Sequence, residues 1–177
     1  KVLFFGRLWK YKGLEYLLKA EPLVSSSFDD YIISIVVHGE PVSKYSKKIF
    51  SNPRYEIIED YVDDTKMAKI FNDSYMVVLP YVEASQSGVL NLAHSFKKPV
   101  IVTNVGALPE MVENGISGYI VPSKDEIALS QKILSLLNNE KLAKNMGEEG
   151  YKRLLKKNSW ELIAEKTVEI YEKVKET

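Results

Sequence analysis

The chain has 177 residues, of which 45% are hydrophobic and 27% are charged, a composition typical of a globular domain with a full core. Its 24 basic and 24 acidic residues give a formal net charge of zero, which excludes the overall basic bias of a nucleic-acid-binding protein. The absence of cysteine excludes disulfides and thiolate chemistry, and no apolar run reaches the roughly 20 residues that a membrane-spanning helix needs. We therefore expect a protein of the cytoplasm.

Short apolar segments alternate with helical segments along the chain. In chain order, apolar runs and helical periodicity predict a strand at Val2–Phe5, a helix at Leu14–Leu23, a strand at Tyr31–Val37, a helix at Ser43–Phe50, a strand at Tyr55–Ile58, a helix at Asp63–Phe71, a strand at Tyr75–Leu79, a helix at Gly88–Phe96, a strand at Pro99–Val102, a short helix at Leu108–Val112 and a strand at Tyr119–Val121. Charged amphipathic helices follow at Asp125–Leu137, Glu140–Lys157 and Trp160–Lys175. Because the first strand starts next to Lys1, which is not a methionine, we expect further sequence before it.

These strands are apolar along their whole length, which indicates a parallel sheet covered by helices on both faces. We therefore predict a single α/β domain over residues 1–177, with a doubly wound, mostly parallel core at 1–122 and a helical tail at 123–177. Ligands of such sheets bind at the carboxyl ends of the strands, near the topological switch point. The loops after Phe5, Val37, Ile58 and Leu79 all fall at that edge.

The strongest functional signal is the loop after the strand predicted at Tyr75–Leu79. It places Glu83, Ser85 and Ser87 directly before a helix that starts at Gly88. A helix N-terminus carries free N–H groups and a partial positive charge, and small residues there let an anion approach closely. Neither a buried strand nor a simple turn needs this string, so we favour a phosphate-binding role.

A second candidate for phosphate binding is the segment Gly6-Arg7…Lys12 after the first strand. Arginine neutralises a diphosphate through its planar fork and lysine through a mobile point charge. From spacing alone, a solvated loop with two ordinary basic residues is the more frequent explanation. Two such loops at one sheet edge nevertheless suggest a nucleotide or a nucleotide-linked substrate.

Two further turns lie at the same edge. Gly39 permits a tight turn beside a ligand, and His38 is able to donate to a phosphate or sugar oxygen. Tyr61 is able to stack on a base. The structural alternatives, a turn with a satisfied histidine and a helix cap with a packed tyrosine, stay open.

Several sequence motifs are missing from the chain. It contains no Gly-rich P-loop, no Gly-x-Gly-x-x-Gly and no Gly-x-Ser-x-Gly, which disfavours kinases, NTPases, dehydrogenases and serine hydrolases. With two histidines and no ligand spacing, we expect no metal site.

Four segments together resemble a known family: GRLWKYKGLEYLLKA, VVHGEP, PYVEASQSGV and KKPVIVTNVGALPEMVENGISGYIVP. They look like the C-terminal, donor-binding domain of the retaining glycosyltransferases of family four. Those enzymes have the GT-B fold, in which two Rossmann-like domains face each other across a cleft. The resemblance extends from Lys1 to about Lys175.

The resemblance implies a role for each matching position. Arg7 and Lys12 would hold the donor diphosphate and stabilise the leaving group, an electrostatic role that needs no metal. Glu83 would act at the donor sugar. The positions expected to contact the phosphates or the nucleoside are Gly6, His38, Gly39, Tyr61, Val62, Ser87, Gly88 and Val89. The positions expected to face the donor sugar with Glu83 are Ala84, Ser85 and Gln86.

The sequence also departs from the family pattern. Family members often have two glutamates, at the positions of Ala84 and Leu92, eight residues apart. Glu83 lies one residue before the first of these positions. The Leu92 side chain is unable to accept a hydrogen bond from a ribose hydroxyl. The departure from the family pattern therefore concerns ribose recognition.

The function implied is transfer of a hexose from a nucleoside-diphosphate sugar to an acceptor, in polysaccharide or glycolipid synthesis, without any other cofactor. The expected partners are the donor and an N-terminal acceptor domain, against which the apolar face of the last helix (Leu162, Ile163, Val168, Ile170, Tyr171) would pack. The full-length protein is expected in the cytoplasm, with peripheral association at the inner face of the membrane left open. Two alternatives have the same architecture: a nucleotide-sugar epimerase using Glu83 and His38, and a non-catalytic binding domain.

Overall fold

The computed structural model describes residues 1–158 and 160–175. The strands are β1 (Val2–Leu8), β2 (Ile33–Gly39), β3 (Tyr55–Glu59), β4 (Met76–Leu79), β5 (Val100–Thr103) and β6 (Gly118–Val121). The α-helices are α1 (Leu14–Ser25), α2 (Asp64–Asp73), α3 (Gly88–Ser95), α4 (Leu108–Met111), α5 (Glu126–Leu137), α6 (Glu140–Asn158) and α7 (Trp160–Lys175). Short 3-10 turns lie at Lys10–Lys12, Val42–Lys44 and Lys48–Ser51.

The strands form one six-stranded sheet in the order β3-β2-β1-β4-β5-β6. Each pair of neighbouring strands is parallel. Because the order reverses between β1 and β4, their carboxyl ends flank the topological switch point. The predicted doubly wound α/β fold is confirmed.

The sheet is buried on both faces, as its continuous apolar strands predict. Along β1, Val2 and Phe4 belong to one hydrophobic core and Leu3 belongs to the other. The first core includes buried residues of α1, α5 and α6, and the second includes buried residues of α2 and α3. The two cores hold the strands rigidly and leave their carboxyl ends free to carry loops.

The helices after residue 122 contribute to the first core. Ile133 and Leu136 of α5 and Met146 of α6 are buried there. The helical character predicted for the tail is therefore correct, and its first two helices also help to cover the sheet. On α7, exposed apolar side chains include Val168 (53%), Ile170 (61%), Tyr171 (66%) and Val174 (69%).

The apolar face of α7 that is predicted to contact another domain also includes Leu162 and Ile163. The side chains of these two residues lie outside the described part of the chain. None of the helices in the described part of the chain has the length and apolar character needed to cross a bilayer.

Two predicted boundaries are wrong for tertiary reasons. The first strand continues to Leu8 rather than stopping at Phe5, because β2 extends to Gly39 and supplies pairing partners for Gly6, Arg7 and Leu8. Gly6 and Arg7 therefore lie in a strand and not in a loop. The second strand begins at Ile33 rather than Tyr31.

The helix predicted at Ser43–Phe50 is also wrong, because the segment forms two 3-10 turns. The backbone N–H of Val42 donates to the Glu59 carboxylate, which ties the first turn to β3. The N–H of Lys44 then donates to the Pro41 carbonyl at 3.1 Å, a three-residue step that does not propagate an α-helix.

Candidate active site at the carboxyl edge of the sheet

Two loops meet where the strand order reverses. The loop after β1 runs from Trp9 to Gly13, and the loop after β4 runs from Pro80 to Ser87. The N–H of Val82 donates to the Tyr11 carbonyl at 2.7 Å, which joins the two loops. Gly13 has a φ of +67°, and a Cβ there would lie 1.9 Å from the Pro80 carbonyl oxygen. Only glycine permits this close approach.

Arg7 lies near the end of β1 with its side chain exposed. Its guanidinium carbon is 4.8 Å from the centroid of the Trp9 ring, a cation–π distance. Among the described residues, no carboxylate forms an ion pair with Arg7. The guanidinium group is therefore available to an anion that binds at this edge of the sheet.

Lys12 is the second cation of the site, and its side chain is partly buried. Its Nζ lies 3.9 Å from the centroid of the Tyr81 ring and 5.4 Å from that of Tyr11. No carboxylate of the described chain pairs with it. Burial lowers the pKa of Lys12 to about 8, because the charged form is poorly solvated there. An anion beside Nζ would supply the missing charge partner.

The N-terminus of α3 lies at the same edge of the sheet. Ser87 is buried and caps the helix, with its Oγ accepting from the N–H of Leu90 at 3.4 Å. Gly88 is exposed, and a Cβ there would have no neighbour within 4 Å. Gly6 approaches the helix start, because a Cβ on it would lie 3.3 Å from Cγ2 of Val89. The first turn of α3 therefore starts beside the end of β1 that carries Arg7.

The residues predicted to face a sugar lie between these elements. Glu83 is exposed and lines a cleft of about 820 Å³ together with Trp9, Tyr11 and Glu40, whereas Arg7 and Lys12 are not among the residues that line it. Ser85 and Gln86 are exposed, whereas Ala84 is half-buried against the second core.

A neighbouring turn holds this loop in place. The N–H of Ala107 donates to the Ser85 carbonyl at 3.1 Å. Gly106 approaches the Ala84 carbonyl so closely that a Cβ would lie 1.7 Å from its oxygen. The backbone of the sugar-facing loop is therefore supported from the β5 side.

The residues predicted near the nucleoside lie farther along the edge, after β2 and β3. His38 and Tyr61 contact edge to face, with ring centroids 6.0 Å apart, and Tyr61 is 74% exposed. Gly39 has a φ of +111° and packs on Leu8. The Val62 side chain packs against the second core.

Two other sequence features are structural. Leu92 packs against the second core, so the position of the second family glutamate carries a core contact here. His94 is 2% exposed, its Nε2 lies 3.3 Å from the Ser117 carbonyl, and burial lowers its pKa to about 4. The described residues contain no group of three His, Cys, Asp or Glu side chains that is arranged to hold a metal ion.

Sequence reasoning missed Tyr81. Its ring is 1% exposed beneath Lys12, and its hydroxyl lies 3.3 Å from Oγ of Ser87. Burial raises its pKa to about 12. The one available signal was a tyrosine directly after the strand-ending Pro80, which by itself looks like an ordinary packing residue.

The fold and this edge define the Rossmann-like C-terminal domain of a GT-B glycosyltransferase. The family model described as Glycosyl transferases group 1 matches residues 1–139. The chain belongs to this family.

Individual relatives agree with the family assignment. The capsular polysaccharide biosynthesis glycosyltransferase CapM of Staphylococcus aureus is 28% identical over 95% of this chain and 44% of its own length. The chain therefore spans less than half of that relative.

Solved structures share the fold. The C-terminal domain of the group 1 family glycosyltransferase LpcC of Francisella tularensis superposes with a TM-score of 0.81, at 20% identity over 90% of this chain and 86% of its own. A mutant of S. aureus TarM, in complex with fondaparinux, α-GlcNAc-glycerol and UDP, gives a TM-score of 0.85 at 22% identity over 97% of this chain and 35% of its own.

Proposed function

We propose that this chain is the donor-binding domain of a retaining glycosyltransferase that moves a hexose from a nucleoside-diphosphate sugar to an acceptor hydroxyl. The observation that carries the proposal is the convergence of two cations without carboxylate partners, Arg7 and Lys12, on the edge where α3 begins. A diphosphate supplies the negatively charged partner that neither cation has.

The reaction breaks the bond between the anomeric carbon and the diphosphate oxygen. The acceptor oxygen then bonds to that carbon and gives up its proton, and the nucleoside diphosphate leaves with the electron pair. Arg7 and Lys12 stabilise the charge that develops on the leaving diphosphate, and N–H groups at the start of α3 add to this. Because these groups are fixed before the donor arrives, they cost little reorganisation. We propose that they perform this role without a metal ion.

The remaining residues of the edge surround the other parts of the donor. Glu83 is exposed in the cleft and accepts hydrogen bonds from hydroxyl groups of the sugar. Ser85 and Gln86 lie beside the sugar. His38, Gly39 and the Tyr61 region line the nucleoside side. Because Leu92 stands where family members often have a glutamate, no carboxylate at this position binds the ribose. Backbone groups of this edge bind the ribose instead.

The acceptor and much of the reacting environment belong to an N-terminal domain outside this chain. The name of CapM supports a role in polysaccharide synthesis, and glycolipid synthesis is the other proposed pathway. The UDP bound to TarM makes UDP the first nucleotide to try. An epimerase is the weaker candidate, because its chemistry needs acid–base groups at the sugar, and Glu83 is the only such group among the positions proposed to face the sugar.

The test is calorimetric titration of the chain with UDP, GDP and ADP, beside the double variant Arg7→Ala/Lys12→Ala. Each lost charge-assisted contact is worth about 1.5–3 kcal/mol. We expect one nucleotide to bind and the double variant to weaken it by at least about a hundredfold, whereas Lys144→Ala, at an exposed position of α6, leaves the affinity unchanged.

Two results would count against the proposal. Equal affinity in the double variant and the wild-type chain would remove the cations from the site. No binding of any nucleotide at millimolar concentration would make the non-catalytic binding domain the better interpretation.

A further inference from the structure

Tyr81 contacts both halves of the anion-binding edge. Its ring lies under the ammonium of Lys12, with 3.9 Å between Nζ and the ring centroid. Its hydroxyl lies 3.3 Å from Oγ of Ser87, the residue that caps α3. The buried Tyr81 side chain thus joins the ammonium of Lys12 to the N-terminus of α3.

The backbone of Tyr81 is fixed as well. Its carbonyl accepts from Oγ1 of Thr103 at 2.6 Å and from Oγ of Ser123 at 3.2 Å. Tyr11 packs on it edge to face, with ring centroids 6.4 Å apart. The ring therefore has little freedom to move, and a side chain that rests on it inherits that order.

A lysine in an open loop samples many rotamers, and ordering it on ligand binding costs free energy. A face of a tyrosine ring attracts an ammonium without neutralising it, unlike a carboxylate, which would compete with the ligand. The ring is therefore suited to hold Lys12 in place while leaving its charge available to an anion.

We propose that Tyr81 is a positioning residue that sets the Lys12 ammonium and the N-terminus of α3 in one diphosphate-binding geometry. The inference rests on the function proposed above. The ring positions Lys12, and the hydroxyl positions the cap at Ser87.

The first test needs no ligand. An aromatic ring shifts the NMR signals of protons above its face upfield, so we expect strongly upfield-shifted ε-protons of Lys12 in the wild-type chain and in Tyr81→Phe. In Tyr81→Leu only the more distant Tyr11 ring remains beside Lys12, so we expect a much smaller upfield shift. Ordinary Lys12 shifts in the wild-type chain would overturn the proposal without any variant. This result is independent of whether the chain binds a nucleotide.

The second test is a double-mutant cycle on the affinity for inorganic pyrophosphate, which contains the diphosphate and no base. We expect Tyr81→Leu to weaken binding about tenfold in the wild-type background and only about twofold in a Lys12→Ala background. Tyr81→Phe, which keeps the ring and loses the hydroxyl, should also cost about twofold.

Phe71→Leu is the matched control, since Phe71 is a fully buried aromatic residue of the second core, away from Lys12. It should destabilise the chain while leaving pyrophosphate affinity unchanged. Additive losses from Tyr81→Leu and Lys12→Ala would overturn the positioning role. Absence of pyrophosphate binding in the wild-type chain would count against the proposed function, and the proton shifts of Lys12 would still decide the role of Tyr81.

Discussion

Arg7 and Lys12 are held by aromatic rings rather than by carboxylates. Arg7 lies over Trp9, and Lys12 lies over Tyr81 and Tyr11. Cation–π contacts position a cation but leave its charge uncompensated. This is the electrostatic state in which a protein attracts a multiply charged anion, although the chain as a whole has a net charge of zero.

The pKa of Lys12 makes anion binding depend on pH near neutrality. Tyr11 and Tyr81 are the titratable side chains that contact its ammonium, and burial is the cause of its lowered pKa of about 8. Because Lys12 is half charged at its pKa of about 8, nucleotide affinity should fall slightly from pH 7 to 8 and more steeply between pH 8 and 9. Isothermal titration across this range measures the change.

Lys12→Arg is the matched variant for this prediction, because a guanidinium stays protonated in this range. Its affinity should not fall between pH 8 and 9, and any titration of the nucleotide itself would appear equally in both proteins. A parallel fall in the variant and the wild-type chain would show that Lys12 is not the titrating group.

At the scale of elements, α3 combines a cap with an open first turn. Asp63 caps α2 and Asp125 caps α5, and both caps accept a backbone N–H as Ser87 does in α3. Ser87 differs because it is buried and contacts Tyr81. The cap of α3 is thus also linked, through Tyr81, to the Lys12 side chain.

Ser87→Ala should lower both stability and nucleotide affinity. Loss of an N-cap costs about 1 kcal/mol, and a frayed first turn no longer holds its N–H groups toward a phosphate. Asn139→Ala removes a side-chain cap of α6, in which Oδ1 accepts from the N–H of Leu142 at 3.0 Å, and should cost a similar free energy of unfolding without changing affinity, since α6 follows α5 and does not begin at the carboxyl end of a strand. Urea unfolding and calorimetry measure the two quantities.

The comparison of these two variants separates folding from binding. If Ser87→Ala and Asn139→Ala reduced affinity equally, the effect would follow from global destabilisation and the α3 N-terminus would have no particular role. If neither variant changed affinity, the phosphate would have to bind elsewhere along the edge.

At the scale of the whole molecule, two exposed surfaces are available to the second domain proposed above. One consists of the loops at the carboxyl edge of the sheet, and the other of the exposed apolar side chains of α7. The chain spans 44% of the length of CapM. These features agree with a domain that works against a second one.

We expect the 177-residue chain to bind a nucleoside diphosphate weakly and to transfer no sugar, because the acceptor site is proposed to lie in the other domain. Release of nucleoside diphosphate from UDP-, GDP- and ADP-sugars, with simple sugars as acceptors, measures transfer. Turnover that is lost in Arg7→Ala/Lys12→Ala would show that this chain carries a complete active site.

Much of the fold could be predicted from local patterns. Continuous apolar runs such as Tyr75–Leu79 predicted a parallel sheet buried on both faces, because only such a sheet needs apolar residues at every position. Asp63 and the Ser87-Gly88 pair marked helix starts, because capping is a local interaction. The order of loops along the chain then placed Arg7, Lys12 and Ser87 at one edge.

The tertiary structure decided what depends on partners distant in sequence. The extension of β1 through Arg7 exists because β2 supplies hydrogen bonds, and the 3-10 turns after Pro41 exist partly because Glu59 holds Val42. The contact between Lys12 and Tyr81 joins residues of different loops, and no local pattern encodes it. The sequence by itself therefore determined which elements and charges reach the edge. Packing decided that the charges of Arg7 and Lys12 remain without carboxylate partners, because it placed aromatic rings beside them.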